Sequence, residues 1–213
     1  MPTLCDEATG GKLRCRLLPR SFYLQPPQRL APALLGKILV RRWRGHLLAG
    51  RIVEVEAYLG REDPAAHAFA GQTARNAVLF GPPGHAYVYG IYGLHHCLNI
   101  ACQPEGTPGC VLLRALAPLQ GVAVLRRNRG LPVNAAVHKI ASGPGNLCAA
   151  LAITRARDNG RDLTYTASGL FLLEDGGAAG EITCTPRVGI RKAADWPLRF
   201  FIAGDACVSH GGR

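Results

Sequence analysis

Apolar and polar residues alternate along Ile52-Val53-Glu54-Val55-Glu56-Ala57-Tyr58, the signature of a strand with one aliphatic face. Successive side chains of a strand point to opposite sides, so Val53, Val55 and Ala57 are expected to face a core. Ile52, Glu54, Glu56 and Tyr58 then share the other face. A carboxylate is almost never buried unpaired, which makes a cleft the expected neighbour of that face.

The same pattern, read along the chain, predicts one α+β domain. Residues 1–19 lack periodicity and read as a loose, flexible arm, leaving 20–213 as the folded unit. Leu30, Leu34 and Leu35 predict a helix over Pro26 to Leu35, stopped by Gly36. Lys37 to Trp43 and Leu47 to Tyr58 predict two strands hinged at Arg44-Gly45-His46. Gly60 to Pro83 reads as a long functional loop. Strands follow at His85 to Tyr89, Leu94 to Ala101 and Gly109 to Leu116, then a helix over Leu119 to Arg127 with a basic cluster at Arg126, Arg127 and Arg129. Ser142-Gly143-Pro144-Gly145-Asn146 opens a helix through Leu151. The last strands are expected at Gly169 to Leu173, Glu181 to Ile190 and Leu198 to Ala203. Hairpin-linked strands with segregated helices imply a curved, mostly antiparallel sheet flanked by helices, with a protruding β-hairpin.

Composition narrows the partners. The chain of 213 residues suits a single sizeable domain. Its formal charge of +11 comes from 25 basic and 14 acidic residues, with only Lys12, Lys37, Lys139 and Lys192 as lysines. Guanidinium forks match phosphate, so nucleic acid is the expected partner, although an arginine-rich composition also follows from a GC-rich genome. No apolar run approaches the ~20 residues of a membrane-spanning helix. Met1 to Arg20 lacks the apolar core of a secretory signal, so a cytoplasmic protein is expected, nucleoid-associated if bacterial. The 8 cysteines contain no Cys-x-x-Cys pair and several sit in apolar runs, so most read as small buried hydrophobes.

Several residues carry candidate chemistry. Arg114, on the apolar strand Val111 to Leu116, needs a partner, and Glu56 would supply one while staying ionised and able to orient a water. Tyr58, His67, Tyr87, Tyr89 and Tyr92 are either core aromatics or a polar aromatic site, since buried tyrosine and histidine need hydrogen-bond partners. Tyr92, between Gly90 and Gly93, reads as an exposed stacking or wedging element. Asn99 either caps a turn or closes a pocket. Gly143 to Gly145 reads as a tight turn more than as a phosphate cradle, because neither nucleotide-binding glycine pattern is present. His95-His96-Cys97 places neighbouring side chains on opposite faces, so no metal and no cofactor are expected.

These segments together resemble a known family. Val55 to Gly60, Asp63 to His67, Thr73-Ala74-Arg75-Asn76, Pro83 to Tyr89, Ile91-Tyr92-Gly93, Cys97 to Ile100, Val111 to Ala115, Ser142-Gly143-Pro144, Arg187-Val188-Gly189 and Pro197 to Phe200 resemble, in one order, the alkyladenine (3-methyladenine, methylpurine) DNA glycosylases. The resemblance runs from about Arg20 to Ser209. It implies that Glu56 is the general base for an attacking water that Arg114 and the Val188 carbonyl also hold. It implies that Tyr58, His67 and Tyr89 stack on and hydrogen-bond a flipped base. Asn99 would crowd the purine 2-position, and Tyr92 would fill the gap left in the duplex. Thr73, Arg75 and Gly93 fall in segments that would meet DNA.

The implied activity is monofunctional: extrusion of alkylated or deaminated purines (3-methyladenine, 7-methylguanine, hypoxanthine, ethenoadenine) from double-stranded DNA and hydrolysis of the N-glycosidic bond. A monomer is expected. No lysine lies in these motifs, so strand cleavage through a Schiff base is not expected. The chain departs from the vertebrate enzymes in a loop between His67 and Thr73 that is one residue shorter and lacks an arginine, and in His95, which replaces a tyrosine. The other readings are a non-catalytic nucleic-acid-binding module of the same fold, which would lack the Glu–Arg pair, and a metal-dependent nuclease, which would need clustered carboxylates and histidines.

Overall fold

The computed structural model describes residues 3–91 and 93–209. In chain order, β1 (Thr3–Cys5) and β2 (Lys12–Arg14) form a small hairpin, followed by β3 (Arg16–Leu17), α1 (Pro27–Leu34), β4 (Ile38–Trp43) and β5 (His46–Tyr58). After the long loop come β6 (Ala86–Ile91), β7 (His95–Ala101), β8 (Cys110–Gln120), α2 (Val122–Asn128), α3 (Pro144–Ala150), α4 (Arg155–Asp158), β9 (Leu170–Glu174), β10 (Ile182–Thr185) and β11 (Arg199–Ile202). Nine strands make one open sheet in the order β3-β9-β4-β5-β8-β7-β6, with β11 joining β5 and β10 joining β11. Every pairing described is antiparallel. The α+β architecture is as the hydrophobic pattern predicts.

Strand β5 organises the molecule. Its first half lies between β4 and β8, and its second half between β11 and β8. Leu30, Ala31 and Leu34 of α1 are fully buried in the main core with Leu48, Ile52, Val55 and Ala57 of β5. The simple alternation expected here fails at one point. Ile52 joins Val55 and Ala57 in that core, whereas Val53 packs with Ala115 and Cys207 in a separate cluster. The register against β8 shifts between Ile52 and Glu54 and again between Glu54 and Val55. Such bulges bend a strand and re-aim its side chains, here turning Glu54 and Glu56 into the interior.

Three other expectations change. The N-terminal segment read as a loose arm is folded onto the sheet: Leu4, Cys15 and Leu18 are buried, and Arg16–Leu17 pair with β9. The Glu7 carboxylate accepts hydrogen bonds from the Gly121 and Val122 amides at the start of α2, at 2.7 and 3.2 Å. Such a cap satisfies otherwise orphaned donors at the positive end of a helix. Strand β8 runs on to Gln120 because Leu119 is buried against the N-terminal hairpin, so α2 starts later than predicted. The strand expected over Glu181 to Ile190 ends at Thr185. Pro186 has no amide to continue the ladder, and the chain turns inward toward β5. No helix among the described residues is long and apolar enough to cross a membrane.

Candidate active site

The strand end at Tyr58 turns into the long loop at Gly60, whose φ is +75° and whose hydrogen faces the Pro108 carbonyl so closely that a Cβ would lie 2.0 Å from that oxygen. Only glycine fits there. The loop then folds back over the sheet and is stitched by Asn76. Its Nδ2 donates to the carbonyls of His67 and Gly71 at 2.9 and 3.0 Å, and its Oδ1 accepts from the Thr73 amide and hydroxyl. His67 is thereby held opposite β6.

A cavity of about 110 Å³ opens between this loop and the sheet, lined by Tyr58, Ala65, His67, Tyr87, Tyr89, Asn99, Cys110 and Ile190. Tyr58, His67, Tyr89 and Asn99, the four residues expected in the base pocket, therefore meet, together with Tyr87. His67 is exposed on its outer edge, while its Nδ1 lies 2.8 Å from the Tyr87 hydroxyl. Its ring packs edge-on to Tyr89 with centroids 4.5 Å apart. Packing against these groups, with the nearby Arg75 charge, lowers the His67 pKa. Burial drives the Tyr58 and Tyr89 hydroxyls well above the usual tyrosine range, and Tyr87 is pushed up to about 12. The pocket phenols are therefore neutral donors at neutral pH. On the floor, Asn99 Nδ2 donates to the Tyr87 carbonyl at 3.2 Å and its Oδ1 faces the Cys110 thiol at 3.7 Å.

Glu56 sits immediately behind the Tyr58 wall and is fully buried. Its Oε1 accepts from the Val188 amide at 2.8 Å and pairs with Arg114 Nη1 at 3.1 Å. Its Oε2 accepts from the Tyr58 hydroxyl at 2.9 Å. A carboxylate has roughly four acceptor sites, so one stays open for a further donor. The predicted catalytic trio of Glu56, Arg114 and Val188 is thus assembled, with the Val188 amide as the group that touches Glu56.

Behind this trio lies a second carboxylate. Glu54 Oε1 accepts from Arg114 Nε at 2.8 Å and Arg199 Nε at 2.7 Å, and its Oε2 accepts from the Ser209 amide at 2.7 Å. Burial opposes ionisation of Glu54, but the Arg114 charge and the bonds from Ser209, Arg199 and Arg114 outweigh it and lower its pKa. Burial likewise opposes the Arg114 charge, and Glu56 and Glu54 reverse that and raise its pKa. Two carboxylates and two guanidiniums balance in this interior.

A third buried pair ties the loop after β10 to the pocket. Arg187 grips Asp63 through both terminal nitrogens, donates to the Ala57 carbonyl at 3.1 Å, and covers the Tyr58 ring. Asp63 also accepts from the amides of Leu59 and Ala65. Glu54, Arg199, Ser209, Asp63, Arg187, Asn76 and Cys110 were given no site role from the sequence. Arg187, Asp63, Asn76 and Arg199 stand within the recognised motifs, which was the available signal. Ser209 carries none.

The expected DNA-facing residues are placed unevenly. Arg75 is exposed, with its guanidinium 5.9 Å from the Tyr89 ring centre, while Thr73 serves the loop through Asn76. Gly93 lies at the tip of the β6–β7 hairpin with φ +71° and nothing near its missing Cβ. Leu94 beside it is 82% exposed. Tyr92 lies outside the described residues. The Gly143–Gly145 turn is covered by this hairpin, with His95 against Gly145. In the basic cluster, Arg126 and Arg129 donate to the carbonyls of Ala135 and Ile140 and so hold a loop. All eight cysteines are free, six of them buried.

Comparison with known proteins gives a consistent result. A profile of the methylpurine-DNA glycosylase family matches residues 21–206. Three similar proteins have names containing the words 3-methyladenine DNA glycosylase. One from Koribacter versatilis is 55% identical over 192 residues, covering 90% of this chain and 92% of its own. One from Methanocella arvoryzae is 47% identical, covering 91% and 96%. One from Anaeromyxobacter dehalogenans is 47% identical, covering 90% and 86%.

Proposed function

Because the chain belongs to the methylpurine-DNA glycosylase family, and so is a DNA glycosylase acting on N-glycosidic bonds, we propose that it excises alkylated and deaminated purines from duplex DNA by base flipping and Glu56-activated water. The observation that carries this reading is the buried Glu56, held by Arg114, the Val188 amide and Tyr58, directly behind an aromatic cavity. A non-catalytic module of the same fold has no use for an intact Glu56–Arg114 pair, so the pair favours an enzyme.

A base stacked in a duplex is out of reach of such a cavity, so the target nucleotide must be extruded, at a cost of a few kcal/mol that is lowest for damaged pairs. Alkylation at N3 or N7 puts positive charge on the purine and weakens its glycosidic bond. Tyr58, His67 and Tyr89 would then favour the cation by roughly 0.5–2 kcal/mol per good contact. Glu56, with Arg114 and the Val188 carbonyl, orients a water toward C1′ and takes its proton as the C–N bond breaks. Hypoxanthine and ethenoadenine are neutral and leave only if protonated or hydrogen-bonded as they depart, a role for which His67 is disposed. Asn99 on the pocket floor crowds the purine 2-position and so disfavours guanine. Tyr92 holds the extruded state from the hairpin tip, and Arg75 neutralises nearby phosphate. The protein acts as a monomer inside the cell, without a metal.

The direct test is base release from duplexes that each carry one lesion, with and without a chelator. Release of 3-methyladenine, 7-methylguanine, hypoxanthine or ethenoadenine, leaving an unbroken abasic strand and unaffected by EDTA, supports the reading. Metal-restored strand scission without free base would replace it with a nuclease.

A further inference from the structure

We propose that Glu54 is a positioning residue for excision: it fixes Arg114 against Glu56 and draws the segment at Ser209 onto the back of the site. The inference rests on Glu56 being the base. Glu54 lies behind Glu56: Glu56 bonds the Tyr58 hydroxyl of the cavity wall, whereas Glu54 bonds only Arg114, Arg199 and Ser209, none of which lines the cavity. All its partners lead to Glu56. Arg114 uses Nε on Glu54, Nη2 on the Ser209 hydroxyl at 3.2 Å and Nη1 on Glu56. With two of its three nitrogens tied behind the site, the third has one direction left. Arg199, paired across the ladder with Glu56, is held by the same Glu54 oxygen and by the Ser209 carbonyl at 3.1 Å.

The arrangement also specifies a carboxylate rather than an amide. Glu54 receives donors on both oxygens, two guanidinium Nε–H groups on one and the Ser209 N–H on the other. A glutamine can turn its oxygen to only one side, so its NH₂ must face a donor. Removing the charge would also leave Glu56 as the sole carboxylate between two buried guanidiniums. Arg114 is then free to swing away from the position that holds Glu56 and its water.

The test compares Glu54→Gln, Glu54→Asp, Ser209→Ala and Ser209→Pro by single-turnover excision and by affinity for lesion duplex. Ser209→Ala removes the hydroxyl that holds Arg114, and Ser209→Pro removes that hydroxyl and the amide that donates to Glu54. Glu54→Gln is expected to lower the excision rate at least tenfold while affinity changes less than threefold, and Glu54→Asp to recover part of the rate. The decisive readout is a double-mutant cycle with Arg114→Ala. If Glu54 acts through Arg114, adding Glu54→Gln to Arg114→Ala slows excision by no more than about threefold, because interacting residues are not additive. Multiplicative losses in the double variant, or a full rate in Glu54→Gln, overturn the proposal. If Glu54→Gln does not fold, Ser209→Pro measured against Ser209→Ala decides: a rate slower than that of Ser209→Ala at unchanged affinity supports it and equal rates refute it. Retained excision by Glu56→Gln would instead mark failure of the underlying reading.

Discussion

The guanidinium of Arg187 lies 4.6 Å from the centre of the Tyr58 ring while both of its terminal nitrogens hold Asp63. One buried ion pair thereby clamps the pocket wall to the loop that carries Val188. Breaking a buried pair by removing one partner typically costs ~3–5 kcal/mol, because the remaining charge is stranded. Asp63→Asn should lose stability on that scale in denaturant unfolding and should weaken excision with it. A loss of no more than the ~1 kcal/mol typical of an exposed pair would show that Arg187 has another anchor.

His67 supplies a pH prediction. Its pKa is lowered by packing and by Arg75, so the fold favours the neutral ring. The stability it contributes is full above the ordinary histidine value of about 6.5 and is lost as pH falls through the lowered folded value. An NMR titration should place the His67 midpoint below about 6.5, and Arg75→Ala should raise it. A wild-type midpoint at or above that value contradicts this account of the pocket rim.

The turn carrying Gly93 closes with the Leu94 amide donating to the Ile91 carbonyl at 3.2 Å, and we propose that Tyr92 enters the duplex from this hairpin. A phenol there is large enough to replace an extruded purine in the stack. Tyr92→Ser should lower excision strongly from stable base pairs and less from mismatched or single-stranded lesions. Fluorescence of an ethenoadenine reporter follows the extrusion itself. Equal flipping by the variant and the wild type would remove Tyr92 from this role.

Much of this arrangement was legible in the sequence because it is local. The strand and hairpin signals around Lys37 to Tyr58 and His85 to Leu116 match the observed strands within a few residues. Glu56, Tyr58 and Tyr89 stand on those strands, so their convergence with Arg114 followed from the sheet. What was hidden depends on contacts between distant parts of the chain. Nothing near Glu54 announces the bulges that set it against Arg199 and Ser209, since a bulge arises from mismatched register with a partner strand. Leu4 and Cys15 sit in segments too short for periodicity, and their burial comes from a sheet edge contributed by β9.

The central claim is that Glu56 activates the attacking water. Its geometry fills Oε1 with Arg114 and the Val188 amide and leaves one acceptor position open on Oε2, the oxygen that takes the Tyr58 hydroxyl. Glu56→Gln keeps the shape of the side chain and removes its basicity. The measurement is single-turnover base release by this variant alongside its affinity for the same lesion duplex. The account predicts near wild-type binding with most excision lost. Excision retained within about tenfold, equivalent to ~1.4 kcal/mol of barrier, would contradict it.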